Sequence, residues 1–405
     1  MKNQFIKTMS LFMTLTLLAS PLCSCGKKET SSTSYETSSI VNSSESSSQD
    51  NNASSKSPNV TTEQTTEPID PDIVENPYTG LLEMDVENVG KRGIGITVNN
   101  CKVANPQRGT ADASVIFEYE TEGGQTRLLC VYPDISKVPL VGAIRSGRIG
   151  SADMCAGTGA IFVCWGADYT AVPSHVKKND ITWMDLNNYI YDSTHGHDAD
   201  EVPEGRFCWR DREWMDEPGH RTGIEHCGVT RGDFILKCSE ELGIDLEGET
   251  PRLFNFVESG TAKMTDAKDC TQINVYFSGT NDDALFVYND QDKVYYKSQY
   301  DGAPQVDCNV NQQISFTNVF ALYCPIYFRP GETEGERHKD IHMEEGGTGY
   351  YISYGKLEEI TWTKPTPNDP IRCFDKEGNE IEVNAGKSYI CVVDDDYYDK
   401  TTYSA

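Results

Sequence analysis

The sequence predicts an α+β protein, with a first folded segment of irregularly alternating helices and strands followed by a strand-dominated second one. Two observations carry this. Short runs rich in Val, Ile, Tyr and Phe, several of them bounded by Gly, Asn and Asp clusters, recur through residues 76–393. Helical patterns are few and fall in the first folded segment, so that part reads as α+β or a layered α/β arrangement. The 405 residues, 37% hydrophobic and 24% charged, leave room for about two domains once the polar N-terminal stretch is set aside.

In chain order, Lys2 and Lys7 precede the apolar run Met9 to Ala19, and Leu22-Cys23-Ser24-Cys25-Gly26 follows as a small-residue cleavage site ending in cysteine. Residues 1–25 therefore read as a lipoprotein signal with Cys25 as the lipidated residue; a plain secretory signal is the alternative. Two or more acyl chains of the palmitate type, each buried CH₂ contributing about 0.8 kcal/mol, anchor a protein to a membrane. Residues 26–75 are rich in Ser, Thr, Asn, Glu and Gln. They cannot bury enough apolar surface to fold and read as a tether with an r.m.s. span of roughly 40 Å.

The first folded domain is expected over 76–248. Gly93 to Asn99, Ser114 to Tyr119 and Gln125 to Tyr132 read as strands, the last two joined as a hairpin through Glu122-Gly123-Gly124. Ile149 to Ala156 reads as a helix and Gly159 to Trp165 as a buried strand. Thr230 to Leu242 reads as a helix with Thr230 and Asp233 as its capping pair. The second domain, 249–393, carries strands at Ile273 to Phe277, Ala284 to Tyr288, Lys293 to Ser298, Ile314 to Tyr327, Gly349 to Tyr354, Glu359 to Lys364 and Ser388 to Val393. Residues 394–405 read as an acidic tail that frays.

The formal net charge of -28, from 63 acidic against 35 basic side chains, repels phosphate backbones and argues against a nucleic-acid partner. No later run of about 18 apolar residues follows the signal, so attachment to the membrane falls to the lipid. Twelve cysteines lie between Cys101 and Cys391 without a C-x-x-C pair, which removes zinc-ribbon and thioredoxin-like readings. Cys130, Cys164 and Cys391 sit inside apolar strand-like runs and read as buried thiols.

Several motifs in register carry a resemblance. They are Asn76-Pro77-Tyr78-Thr79-Gly80, Ala104-Asn105-Pro106-Gln107-Arg108-Gly109, Glu118 with Glu122-Gly123-Gly124-Gln125-Thr126-Arg127, and Arg145-Ser146-Gly147-Arg148. Weaker echoes are Trp209-Arg210-Asp211 and the stretch from Glu225 to Thr230, while Gly346-Gly347-Thr348-Gly349-Tyr350-Tyr351 and Ile360-Thr361-Trp362-Thr363-Lys364 carry the resemblance into the C-terminal portion. The chain resembles the YerB-like lipoproteins of Gram-positive bacteria over nearly everything after the tether. The resemblance implies an extracytoplasmic lipoprotein, a two-part domain of unknown function and a layered β/β/α N-terminal fold. It implies no reaction. The family tends to have histidine where Cys164 stands and asparagine where Cys227 stands.

The candidate ligand-binding residues are Arg127, Arg145, Arg148 and Arg210, cations in an otherwise acidic chain. Arg145 and Arg148, three apart at the entry to a helix, would aim guanidinium forks and free N–H groups at a carboxylate or phosphate. The competing reading is an ion-pair network with Glu118, Glu120 and Glu122, Glu120 lying opposite Arg127 across the hairpin. Glu118, Glu122, Asp211 and His226 are weak catalytic candidates, as the acid and base groups of one cleft for glycan hydrolysis. His226 beside Cys227 is a remoter nucleophile pair.

His195-Gly196-His197-Asp198, and His338 with His342 if helical, lack further ligands, so no metal and no cofactor is expected. Gly346-Gly347-Thr348-Gly349 reads as a turn, and no G-x-S-x-G elbow occurs. The whole implies a non-enzymatic binding or assembly factor on the outer face of a Gram-positive cytoplasmic membrane. Its partner would be an anionic wall polymer such as peptidoglycan, or an envelope protein. A wall glycan hydrolase is the first alternative and a transporter's solute-binding lipoprotein the second.

Overall fold

Val115–Glu120 and Ser388–Asp394, nearly three hundred positions apart, lie side by side as parallel strands at the middle of one mixed sheet. The computed structural model describes residues 70–192, 199–217, 223–279, 283–332 and 337–405. Glu67–Ala405 forms one compact unit, rich in strands with few helices. The signal with Cys25, most of the tether and the His195-Gly196-His197-Asp198 motif lie outside the described residues.

The longer strands, with the short ones needed to follow the two main sheets, are β1 (Ile94–Asn99), β2 (Val115–Glu120), β3 (Thr126–Tyr132), β4 (Ile161–Cys164), β5 (Trp183–Asp185), β6 (Lys268–Asp269), β7 (Gln272–Val275), β8 (Ala284–Asn289), β9 (Val294–Gln299), β10 (Asn318–Cys324), β11 (Gly347–Ser353), β12 (Lys356–Thr363), β13 (Arg372–Phe374), β14 (Ser388–Asp394) and β15 (Thr402–Ser404). The central sheet runs β6-β12-β11-β10-β14-β2-β3-β1-β4-β5, with β13 on β12. A second sheet contains β9-β8-β7-β15. The helices are α1 (Ile149–Ala156), α2 (Val172–Lys178), α3 (Arg212–Asp216) and α4 (Gly232–Leu242).

Every residue of β1, β2, β3 and β10 is buried, because both faces of the central sheet are covered. Such strands read as continuous apolar runs instead of alternating ones. Ile94, Ile96, Ile116, Cys130, Ala321 and Tyr389 pack toward Ile273, Phe286 and Tyr295 of the second sheet and Ile235 of α4. Phe117, Leu129, Phe320 and Val392 pack on the opposite side with Ala152 and Cys155 of α1, Val176 of α2 and Phe254. Each fully buried large side chain contributes about 1.5–3 kcal/mol. The cysteines from Cys101 to Cys391 are all free, and ten of them are buried.

Several local expectations are revised. Ile73–Glu75, at the end of the expected tether, pairs with Leu82–Asp85. Helix α4 starts two residues later than expected, and the Thr230 hydroxyl donates to the Phe207 carbonyl at 2.7 Å instead of capping it. The final residues do not fray. Tyrosines stand among the acids there: Tyr398 packs against Tyr323 at 4.9 Å, Tyr323 Oη donates to Thr401 Oγ1, and β15 adds an edge to the second sheet. Gly347 and Gly349 belong to β11, and only Gly346 turns, with φ 65. Both strand glycines lie hard against β10: a Cβ at Gly347 would overlap the Tyr323 carbonyl oxygen, and one at Gly349 would come within 2.6 Å of that of Ala321. His338 and His342 flank the strand Lys339–Ile341, so no helix face aligns them.

Candidate anion-binding site

The segment from Ala143 to Arg148 inserts between the C-terminal ends of β1 and β4, beyond the residues that pair with one another. Its backbone is held on both sides: Arg145 N donates to the Thr97 carbonyl and Trp165 N to the Arg145 carbonyl, both at 3.1 Å. Gly147 makes the close approach possible, since a Cβ there would sit 2.9 Å from the Phe162 ring and 3.0 Å from Cys164 Sγ. The strand Cys208–Arg210 pairs with Gly228–Thr230 and brings Arg210 alongside. A side chain at Gly228 would collide with the Trp165 ring, over which the Arg210 guanidinium lies at 4.5 Å. Such stacking contributes about 0.5–1 kcal/mol at exposed sites.

The four predicted arginines meet here, close enough for Arg127 to feel Arg148 and Arg145, and for Arg145 to feel Arg148 and Arg210. Their partners divide them into two pairs. Arg148, at the N-cap of α1, makes a bidentate contact with Glu122 at 2.7 and 2.9 Å. Arg127 is buried, donates to the Ser146 carbonyl at 2.5 Å and lies 3.7 Å from Glu122. Tyr119 stands opposite Arg127, while Glu120 stands opposite Thr126 and pairs with Lys339 at 2.5 Å. Burial, and then repulsion by Arg148, push the Arg127 guanidinium down to about 10. The Glu122 carboxyl is held below its ordinary range: desolvation raises it, and the Arg148 and Arg127 cations outweigh that.

Arg145 and Arg210 have no carboxylate within ion-pair distance among the described residues. Arg145 Nη1 donates to the Glu225 carbonyl at 3.0 Å and Arg210 Nη1 to that of Ile224 at 2.5 Å. Arg210 Nε is buried with no hydrogen-bond partner among the described residues. Burial lowers the Arg145 guanidinium below its ordinary value. The turn Ile224–His226 wraps around both cations by its backbone, while the half-exposed Glu225 carboxylate turns to His226 Nε2 at 3.4 Å.

The candidate acid and base groups do not share one cleft. Glu118 is fully buried, accepting from Tyr389 Oη at 2.6 Å, Thr126 Oγ1 at 2.7 Å and Asn100 Nδ2 at 2.8 Å, with Lys297 Nζ at 3.4 Å. Asp211 pairs with Arg108 and caps α3 through Trp214 N. Glu122 belongs to the arginines, and His226 Nδ1 lies 2.7 Å from Asn99 Nδ2. Cys227 Sγ turns to the Ile224 carbonyl; the thiol facing His226 is that of Cys101, 3.7 Å from Nδ1. Sequence adjacency concealed that pairing, and the two glycines seating the arginine segments are the signal it offered. His338 and His342 pair with Glu332 and Glu344. Among the described residues only Asp394, Asp395 and Asp396 bring three ligand atoms within 4.8 Å, and two of the three are exposed.

Residues 78–210 match the family model "Protein of unknown function (DUF3048) N-terminal domain", and residues 273–390 match the "C-terminal domain" of the same name. The chain is 27% identical over 323 residues to the Bacillus subtilis (strain 168) protein named "Putative lipoprotein YerB", covering 79% of this chain and 86% of that protein. The crystal structure of YerB protein from Bacillus subtilis is similar with a TM-score of 0.65 at 23% identity, covering 82% of this chain and 100% of that one, so the fold is shared. With both domain models matched in order along one chain, the protein belongs to the DUF3048 family, the YerB-like group that its motifs resemble.

Proposed function

We propose that this protein is a lipid-anchored, extracytoplasmic binding or assembly factor of the cell envelope that receives an anionic group of a wall polymer at Arg145 and Arg210. The observation that carries this is the different fate of the four cations. Arg127 and Arg148 share Glu122, whereas Arg145 and Arg210 are held in place by carbonyls that fix geometry without neutralising charge. In a chain of net charge -28, two such neighbours make a local positive site. The N-terminal signal supports anchoring at the outer face of a Gram-positive membrane. The two apolar clusters support reading the central sheet as the middle of a β/β/α stack.

The test is equilibrium binding of the full-length chain, in detergent, to a purified phosphodiester wall polymer and to carboxylate-bearing peptidoglycan fragments. Charge-assisted hydrogen bonds contribute about 1.5–3 kcal/mol each, so R145Q/R210Q is expected to weaken binding by at least about 100-fold. Affinity is also expected to fall with salt. Unchanged affinity in a folded R145Q/R210Q variant overturns the proposal, as does absence of binding by the unaltered chain to both polymers.

A further inference from the structure

Beside the two arginines lies a side-chain constellation that anion binding does not use. Cys101, at the end of β1, is half-buried, and its Sγ lies 3.7 Å from His226 Nδ1. The imidazole's protonation follows from its surroundings. Asn99 Oδ1 accepts from Cys101 N at 3.1 Å, which turns the Asn99 amide nitrogen toward His226 Nδ1 at 2.7 Å. Nδ1 is therefore an acceptor and the ring proton sits on Nε2, which lies at an ion-pair distance of 3.4 Å from Glu225 Oε1. Thiol, imidazole and carboxylate stand in the order that activates a sulfur nucleophile: the basic nitrogen, whose lone pair the Asn99 amide holds at rest, lies within reach of sulfur, and the far nitrogen lies near an acid.

We propose that Cys101 is a nucleophilic thiol with His226 as its base, and that it exchanges with small carboxylate-bearing disulfides drawn in by Arg145 and Arg210. The choice of an anionic co-substrate rests on the anion-site reading above; the thiol–base pair does not. In the exchange the Cys101 S–H proton passes to His226 Nδ1 as the Asn99 amide, which shares that lone pair at rest, gives way. The sulfur electron pair forms a new S–S bond to one sulfur of the disulfide, the old S–S bond breaks, and its electron pair departs on a thiolate. Cys101 is oxidised to a mixed disulfide, and the departing half is reduced.

The rest of the molecule distinguishes this thiol. Ten of the twelve described cysteines are buried; Cys155, Cys238 and Cys270, for example, are pushed up to about 12 by burial, which leaves them inert. Among the described residues only Cys101 and Cys308 are part-exposed, and of the two only Cys101 faces a described histidine. Burial raises the Cys101 thiol, with Arg145 opposing, so it rests protonated. Burial and Arg145 lower His226, against Glu225, so the imidazole rests neutral. The charged groups facing the pair are therefore Arg145 and Glu225, with Arg210 beyond them. The pair works as thiol and general base, without a standing ion pair.

The experiment treats the full-length chain with a dicarboxylate aromatic disulfide and, separately, a neutral pyridyl disulfide. Modification of each cysteine is followed by peptide mapping and mass spectrometry over time. Cys101 is expected to react with both reagents at least about tenfold faster than Cys308. Its rate is expected to rise with pH as His226 loses its proton, and H226Q is expected to lower it by about tenfold or more and remove that limb. R145Q/R210Q is expected to lower the ratio of the dicarboxylate rate to the neutral-reagent rate, a ratio in which any effect of Arg145 on the thiol itself cancels. A Cys101 rate no greater than that of Cys308, or a pH profile unchanged in folded H226Q, overturns the nucleophile. Loss of the His226 effects with the reagent preference intact, or the reverse, separates failure of the thiol pair from failure of the anion site.

Discussion

Glu118 and Lys297 face each other at 3.4 Å with both side chains at 0% exposure, joining β2 of the central sheet to β9 of the second. Lys297 Nζ also donates to Gln299 at 2.7 Å and Gln305 at 2.6 Å, and burial holds its ammonium below the ordinary value against the pull of Glu118. Breaking such a pair strands a charge, at about 3–5 kcal/mol. Urea denaturation of K297M and of E118Q is expected to show losses of that size each. In K297M/E118Q the loss should fall well short of their sum; additive losses would show that the pair is not coupled.

Gly347→Ala should destabilise the protein by about 1–3 kcal/mol or more, because the new methyl overlaps the Tyr323 carbonyl and must push β10 from β11. Gly378→Ala is the comparison: nothing lies within 4 Å of its Cβ, and only its φ of +85 opposes the change. Thermal denaturation of the two variants checks the order, with Gly347→Ala expected to melt lower.

Asp168 is held down to about 2: desolvation raises it, and the Thr170 hydroxyl and the Arg329 guanidinium, the latter at 2.6 Å, outweigh that. A carboxyl lowered by folding stabilises the fold above its unfolded value of about 3.9, and that contribution is lost as pH falls toward the folded value. Melting temperature should therefore fall more steeply between about pH 4 and 2 in the unaltered chain than in D168N. Parallel curves would remove Asp168 from acid unfolding.

The strands β1, β2 and β3 and the hairpin joining the latter two were legible because β-branched and aromatic runs between glycine turns have few other ways to fold. Arg127, Arg145 and Arg148 stood out as cations in an acidic chain, but spacing alone did not show that they converge. What the pattern could not show is non-local. Lys297 stands in Val-Tyr-Tyr-Lys-Ser-Gln, which reads as a half-exposed strand, and its buried partner is far away in sequence. The usable clue was Glu118, an acid in the middle of Val-Ile-Phe-Glu-Tyr-Glu, which with Glu120 at its end calls for cations wherever that run is buried. Likewise His226 drew attention to its neighbour Cys227, while the thiol against it comes from 125 positions earlier.

Glu122→Gln should tighten polyanion binding and loosen the fold. The change removes the carboxylate that Arg148 grips bidentately and that lies beside Arg127. Polymer affinity is expected to rise by about 1 kcal/mol, roughly fivefold, while thermal stability drops. Unchanged affinity in the folded variant would place the ligand away from Arg148.

The strand β14 sits between β10 and β2, so the middle of the sheet is filled by the last long strand to be synthesised. Until about residue 394 is available, the earlier strands on either side have an open seam where hydrogen bonds and both apolar clusters should meet. Premature termination anywhere upstream of β14 would leave two half-sheets with sticky rims, so closure of the sheet is expected to come late in the protein's maturation.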